Sequence, residues 1–139
     1  MCRPDRGSCS DRVLALANSA NSALWVAVFS FTHEAIAESL VAAVARGVDV
    51  AVVVETRQET PVMPGLLEGG VRVREDGNGS SMHHKFVVVD GDVVATGSFN
   101  WTNNADYNND ENLVILHSEG AAKQFAAEFL RVWDMGKEP

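Results

Sequence analysis

A histidine and a lysine stand two residues apart at the head of an apolar run, His83-His84-Lys85-Phe86-Val87-Val88-Val89, which closes on Asp90-Gly91. A strand sends residues i and i+2 to one face. His83 and Lys85 are therefore expected side by side, with Phe86 and Val88 turned into packing. Past Gly91 a second apolar run extends from Val93 to Phe99, and there Ser98 and Asn100 again share a face. Neighbouring strands of this kind bring an imidazole, an ammonium, a hydroxyl and a carboxamide together. Such a set offers a nucleophile, a cation and two neutral hydrogen-bonding groups, which suits a phosphate. It does not suit a metal, and no cofactor is expected.

The rest of the chain supplies a sheet for these strands. Leu24 to Phe31 and Val48 to Val54 are almost unbroken apolar runs, as expected of strands buried on both faces. Between them Thr32 is placed to cap a helix reaching Arg46, with Ile36, Leu40 and Val44 at helical spacing and Gly47 at its end. Strand, helix, strand in that order predicts a right-handed parallel crossover. Upstream, Ser10-Asp11 can cap a helix over residues 11–21. Residues 55–70, with Pro61, Pro64 and Gly65, read as a loop holding a short helix around Leu66-Leu67. Val71 to Arg74 alternates as a half-solvated strand does, and residues 77–81 form a flexible approach to the motif. A polar loop at 103–109 precedes a strand from Asn112 to Leu116. A last helix, 120–135, carries Phe125, Phe129 and Trp133 at i, i+4 and i+8. The expected fold class is α/β: one domain over residues 10–139, a mixed, mostly parallel sheet flanked by helices, preceded by a loose segment at 1–9.

Composition narrows the setting. A chain of 139 residues, 46% hydrophobic, has room for one core. No run approaches the ~18 apolar residues of a membrane helix. The first ten residues contain no apolar segment, so no signal peptide is visible and a cytoplasmic location is the default. Cys2 and Cys9 are expected to be free thiols, a small local disulfide being the alternative; two cysteines alone make no zinc site. The net charge of −8 is unusual for a polyanion binder, which commonly carries a basic stripe. Arg72 and Arg74 are the one close basic pair near the motif. Modest, salt-sensitive affinity for a polymer is expected, or else a small phosphodiester substrate.

The pattern His-x-Lys, four residues, Asp, six residues, Gly-Ser-x-Asn resembles the signature of the phospholipase D superfamily. It falls on His83, Lys85, Asp90, Gly97, Ser98 and Asn100. The further acidic residue of that family falls on Glu111, in Asp110-Glu111-Asn112-Leu113. With a single motif, the chain is similar to the small members, namely bacterial endonucleases and the mitochondrial cardiolipin hydrolase group. The likeness runs from about Ser10 into the C-terminal helix. Members usually open with an additional strand, which residues 1–9 do not resemble.

This resemblance implies a metal-independent phosphodiesterase acting as a homodimer on DNA or RNA. His83 of one subunit would attack phosphorus to form a phosphohistidine, and His83 of the other would act as the acid. Lys85 and Asn100 would bind non-bridging oxygens. Glu111 would accept a hydrogen bond from the far ring nitrogen of His83, with Ser98 bracing the network and Asp90 and Gly97 structural. The alternatives are a phospholipid-hydrolysing enzyme and a catalytically idle module that dimerises and binds phosphate groups or DNA. Outside the motif, His84 is expected to be packed or at the surface, His33 solvated in a first helical turn, and Phe99 and Trp101 in the core. Asp92, Asp106 and Asp110 are expected to solvate loops.

Overall fold

In the computed structural model, which describes residues 1–3, 5 and 7–139, the two unbroken apolar runs lie side by side. They form β1 (Ala23–Val28) and β2 (Asp49–Val54), parallel to each other and joined through helix α2 (Glu34–Ala45). Strand β3 (Arg72–Glu75) adds in parallel outside β2. On the other side of β1, the strands β4 (Lys85–Val89), β5 (Val93–Gly97) and β6 (Leu113–His117) follow as an antiparallel meander. The sheet is therefore mixed and six-stranded, in the order β3-β2-β1-β4-β5-β6.

Both faces of the sheet are covered, which explains why its central strands lack polar alternation. Val26, Val28, Val52, Val87 and Val89 face α1 (Cys9–Ser19), α2, α3 (Met63–Glu68) and α4 (Asn103–Tyr107), with Phe31, Ile36, Leu40 and Leu66 filling that layer. Ala27, Ala51, Val53, Phe86 and Val88 face α5 (Glu119–Met135), whose Phe129 and Val132 are buried. Each such valine or phenylalanine contributes about 1.5–3 kcal/mol by leaving water. Trp25 stacks on Phe129 at 5.4 Å and Phe129 on Trp133 at 5.7 Å. Arg72 and Arg74 lie over the ring of Trp133, at 5.2 and 4.6 Å from its centroid. That basic pair serves packing on the α5 face of the sheet.

Several local expectations are corrected. Helix α1 starts at Cys9 and is capped by Ser8, whose hydroxyl accepts from the Asp11 amide at 3.1 Å, so Ser10 lies inside it. His33, not Thr32, caps α2: its Nδ1 accepts from the Ile36 amide at 3.4 Å. His33 is buried rather than solvated, because the Thr32 and His33 amides both donate to the Trp101 carbonyl at 2.9 Å and draw the turn inward. The 103–109 stretch contains α4, since the Thr102 hydroxyl accepts from the Ala105 amide at 3.0 Å and starts a helical turn. Within it Asp106 is 1% exposed, not a solvating loop residue. Its carboxylate takes the amide (3.2 Å) and the hydroxyl of Ser10, and lies 3.9 Å from His33 Nε2.

Cys2 and Cys9 are joined in a disulfide, not free, and both are buried. The start of the chain folds back so that the Cys2 amide donates to the Glu111 carbonyl at 3.1 Å, and Arg3 pairs with Asp110 at 3.0 Å. Of the expected loose segment, Pro4 and Arg6 lie outside the described residues. Phe99 and Trp101 belong to the core, as expected.

The β4–β5 hairpin turns through Asp90 and Gly91, both left-handed, at φ 52° and 74°. Tight hairpins of this twist require that conformation, and an Asp-Gly pair meets it at low cost. The Asp90 carboxylate also reaches back to the start of β1, accepting from the amides of Asn21 (3.0 Å), Ser22 (2.8 Å) and Ala23 (3.0 Å) and from the Ser22 hydroxyl (3.1 Å). Burial alone would raise its pKa, yet these donors together bring it below the ordinary carboxylate value. A carboxylate depressed in this way stabilises the fold above its unfolded pKa of about 3.9 and loses that contribution as pH falls through the folded value. Asp90→Asn should cost about 1–3 kcal/mol at pH 7 in urea denaturation. The gap between wild type and variant should shrink on acidification to pH 3; a gap independent of pH would contradict the assignment.

Candidate active site

The C-terminal ends of parallel strands are where open α/β sheets leave a crevice for ligands. Here the register places Lys85, the first residue of β4, beside Val28, the last of β1. The Phe29 amide continues the pairing by donating to the His84 carbonyl at 2.8 Å. His83 precedes the strand and is exposed. Its ring meets the half-buried Lys85, with Nζ at 3.2 Å from Nδ1 and 3.4 Å from Nε2, while Nζ also donates to the His83 carbonyl at 2.8 Å. The two side chains that begin the motif are thus brought together, as expected.

Strand β5 returns to the same end. Gly97 is needed there because a Cβ would collide with the backbone carbonyl of Asn112. The close approach lets the Ser98 amide donate to that carbonyl at 3.2 Å. The Ser98 hydroxyl then donates to Glu111 Oε2 and accepts from the Asn112 amide at 3.1 Å. Asn100 Oδ1 accepts from the Ser30 amide at 3.3 Å, which ties the end of β5 to the loop after β1.

One expected contact is absent. Glu111 makes no hydrogen bond to the His83 ring; its carboxylate is taken by Ser98 and, at 3.0 Å, by the Asn109 carboxamide. Its electrostatic influence falls on Lys85 instead. Burial lowers the pKa of Lys85 below the ordinary lysine value, and the charge of Glu111 offsets part of that shift.

His84 points to the opposite side. Its Nε2 lies 2.8 Å from Glu128 Oε1 on α5, and its ring meets Phe86 at 5.3 Å. The Arg131 guanidinium, then His84, hold the Glu128 pKa down to about 2 against burial.

Sequence reasoning missed three neighbours of the site. Phe29 sits 4.6 Å from the His83 ring and 5.2 Å from Lys85 Nζ, so an aromatic face backs both groups. Its place at the end of an apolar strand made it look like core. Glu55 is buried at the end of β2; burial would raise its pKa, but the amides of Arg57 and Met82 and the Arg57 guanidinium hold it below the usual range. Arg57 itself reaches Ser81 Oγ at 3.3 Å. Among the described residues no group of three or more His, Cys, Asp or Glu side chains is arranged to hold a metal ion. Nor is any helix of the described residues long and apolar enough to cross a membrane.

A mixed sheet with a histidine–lysine pair and a Gly-Ser-x-Asn turn at one end defines the phospholipase D-like class of phosphodiesterase domains. The family described as cardiolipin synthase, PLD-like domain, matches residues 13–133, and the chain belongs to this phospholipase D-like family. It is 37% identical over 134 residues to the mitochondrial cardiolipin hydrolase of Xenopus tropicalis, covering 94% of this chain and 63% of that protein. The human mitochondrial cardiolipin hydrolase is 34% identical over 134 residues, and the chain spans 53% of its length. Among solved structures, Nuc from Salmonella typhimurium, a phospholipase D family member, superposes with a TM-score of 0.91 at 32% identity, covering 98% of this chain and 93% of Nuc. NucT from Helicobacter pylori shares the fold, with a TM-score of 0.82 at 21% identity over 91% of this chain and 88% of that one.

The Lys85–Glu111 coupling has a definite sign. Lys85 should lose its proton below the ordinary lysine range in a side-chain NMR titration. Glu111→Gln, which removes the charge that supports the ammonium, should lower that midpoint further. An unchanged or raised midpoint in the variant would show that Glu111 does not act on Lys85.

Proposed function

We propose that the chain is a metal-independent phosphodiesterase that cleaves nucleic acid through a phosphohistidine intermediate, with the reacting groups completed at a homodimer interface. The observation that carries this reading is the exposed His83 ring with the Lys85 ammonium 3.2 Å away at an open sheet end. An imidazole titrates near neutrality, so one ring can attack while another donates a proton. His83 attacks phosphorus and forms the N–P bond; the ester P–O bond breaks, and the partner subunit's His83 gives its proton to the departing oxygen. Water then attacks the phosphohistidine, and the partner subunit's His83, now neutral, takes the water's proton. A phosphomonoester and an alcohol result. A two-fold axis brings identical residues face to face, so one motif per chain suffices.

Lys85 and the Asn100 carboxamide hold the non-bridging oxygens and stabilise the charge that grows in the transition state. Ser98 braces Glu111 at the end of β5, and the charge of Glu111 supports the Lys85 ammonium. A nucleic acid is favoured because the rim is polar, with Arg57, Asn78, Ser81, Asn109 and Asn112 around it. A net charge of −8 keeps the affinity for a polyanion modest, and its salt dependence should follow the few phosphates that Lys85 and Arg57 neutralise.

A second reading, hydrolysis of a phospholipid headgroup, is favoured by the 37% identity to a mitochondrial cardiolipin hydrolase. A catalytically idle phosphate- or DNA-binding dimer is the third. Labelled DNA and RNA oligonucleotides and cardiolipin vesicles, each incubated with the protein in EDTA, separate them. Oligonucleotide cleavage is expected, falling about 10³-fold or more in His83→Ala. Release of phosphatidic acid alone would select the lipid reading, and binding without turnover the idle one. Activity that requires added Mg²⁺, or survives His83→Ala, would overturn the mechanism.

A further inference from the structure

His83 has an unusual support for a residue proposed to attack phosphorus: it lies outside the sheet ladder, one residue ahead of the His84 carbonyl that Phe29 holds. The chain reaches it from β3 through residues 76–82, a stretch built of short local turns. Asp76 accepts from the Asn78 amide at 3.0 Å, and Asn78 Oδ1 from the Ser80 amide at 3.0 Å. Such turns set local shape but not distance to the site. That distance is set by Met82. Its side chain is 3% exposed and packs in the cluster under α5, while its amide donates to Glu55 Oε2 at 2.7 Å.

Glu55 is itself held. It is 2% exposed, at the end of a central strand, and its other oxygen accepts from the amide and the Nε of Arg57, each at 3.1 Å. Arg57 closes the arrangement by donating to Ser81 Oγ at 3.3 Å. A carboxylate suits this place because all three groups that face it are donors, and charge-assisted bonds of this kind are short and strong. A carboxamide of the same shape would turn an N–H₂ toward one of those donors.

We propose that Glu55 is a positioning residue for His83: it fixes the Met82 amide, and through it the backbone from which the imidazole projects. The role in turnover rests on His83 being the nucleophile, as proposed above; the mechanical part does not. An attacking group displaced by about 1 Å can lose about 10²-fold in rate while substrate binding is retained.

Three measurements test this. Hydrogen exchange on the wild-type protein should show the Met82 amide protected well above its neighbours at 79–81; exchange at their rate overturns the proposal without any variant. In Glu55→Gln, the His83 ring resonances should shift in NMR, and kcat should fall about 10- to 100-fold with KM within about twofold. Val50→Ala, a core truncation near the start of β2 at the opposite end of the sheet, serves as a stability control and should leave the His83 resonances and kcat near wild type at temperatures well below unfolding. Wild-type ring resonances and kcat in Glu55→Gln, or an equal kcat loss in the Val50 control, would reduce Glu55 to a stability residue. If the wild type cleaves no phosphodiester, the functional reading fails alone, and the exchange and resonance measurements still decide the clamp.

Discussion

The antiparallel pairing of β4 against β1 is the constraint on which the site depends. Setting Lys85 beside Val28 delivers the start of β4 to the C-terminal end of a buried parallel strand. Because side chains alternate with a period of two, a slip of one residue would turn Lys85 toward the apolar α5 layer and carry Phe86 and Val88 to the other, equally covered face. The slip is costly because it brings an ammonium without a partner into an apolar layer and spoils the packing of both faces. The Asp90 carboxylate, fastened to the amides at the start of β1, secures the same register at the far end. The packing of the core is therefore also what aims the Lys85 ammonium.

Around that register the polar groups divide their work. Asp90 and Glu55 are carboxylates saturated by backbone and guanidinium donors, and both hold chain rather than ligand. Glu111 is shared between Ser98 and Asn109 and acts at a distance on Lys85. Ser10, Asp106 and His33 form a buried chain of polar contacts that ties α1, α4 and α2 together behind the loop carrying Ser30. His83 and Lys85 are the groups proposed to meet the substrate, with Phe29 as an apolar backing for both.

Much of this was legible in the residues. The paired valine-rich runs could only be buried strands, and the intervening Ile36, Leu40 and Val44 could only face inward from a helix. The spacing from His83 to Asn100 carried the family and named the candidate site. What could not be read were contacts between residues far apart in sequence. Nothing local in Asp106 announces that Ser10, 96 residues earlier, will bury it. The same holds for Glu55 and Met82, 27 residues apart, and for the capping role of His33, which depends on the Trp101 backbone arriving beside it. The position of Glu111 relative to His83 followed from resemblance, and the structure gives the carboxylate to Ser98 because Gly97 lets the β5 and β6 backbones approach closely.

Cooperation of two imidazoles across a two-fold axis is the centre of the proposed chemistry, and mixed dimers measure it most directly. Co-expressed wild-type and His83→Ala chains carrying different affinity tags can be isolated as the hybrid and assayed with EDTA present. With one imidazole to attack and none to donate, the hybrid should fall about 10²-fold or more below the wild-type dimer. A hybrid retaining half of the wild-type rate, or a wild-type enzyme that is fully active as a monomer in sedimentation under assay conditions, would contradict it.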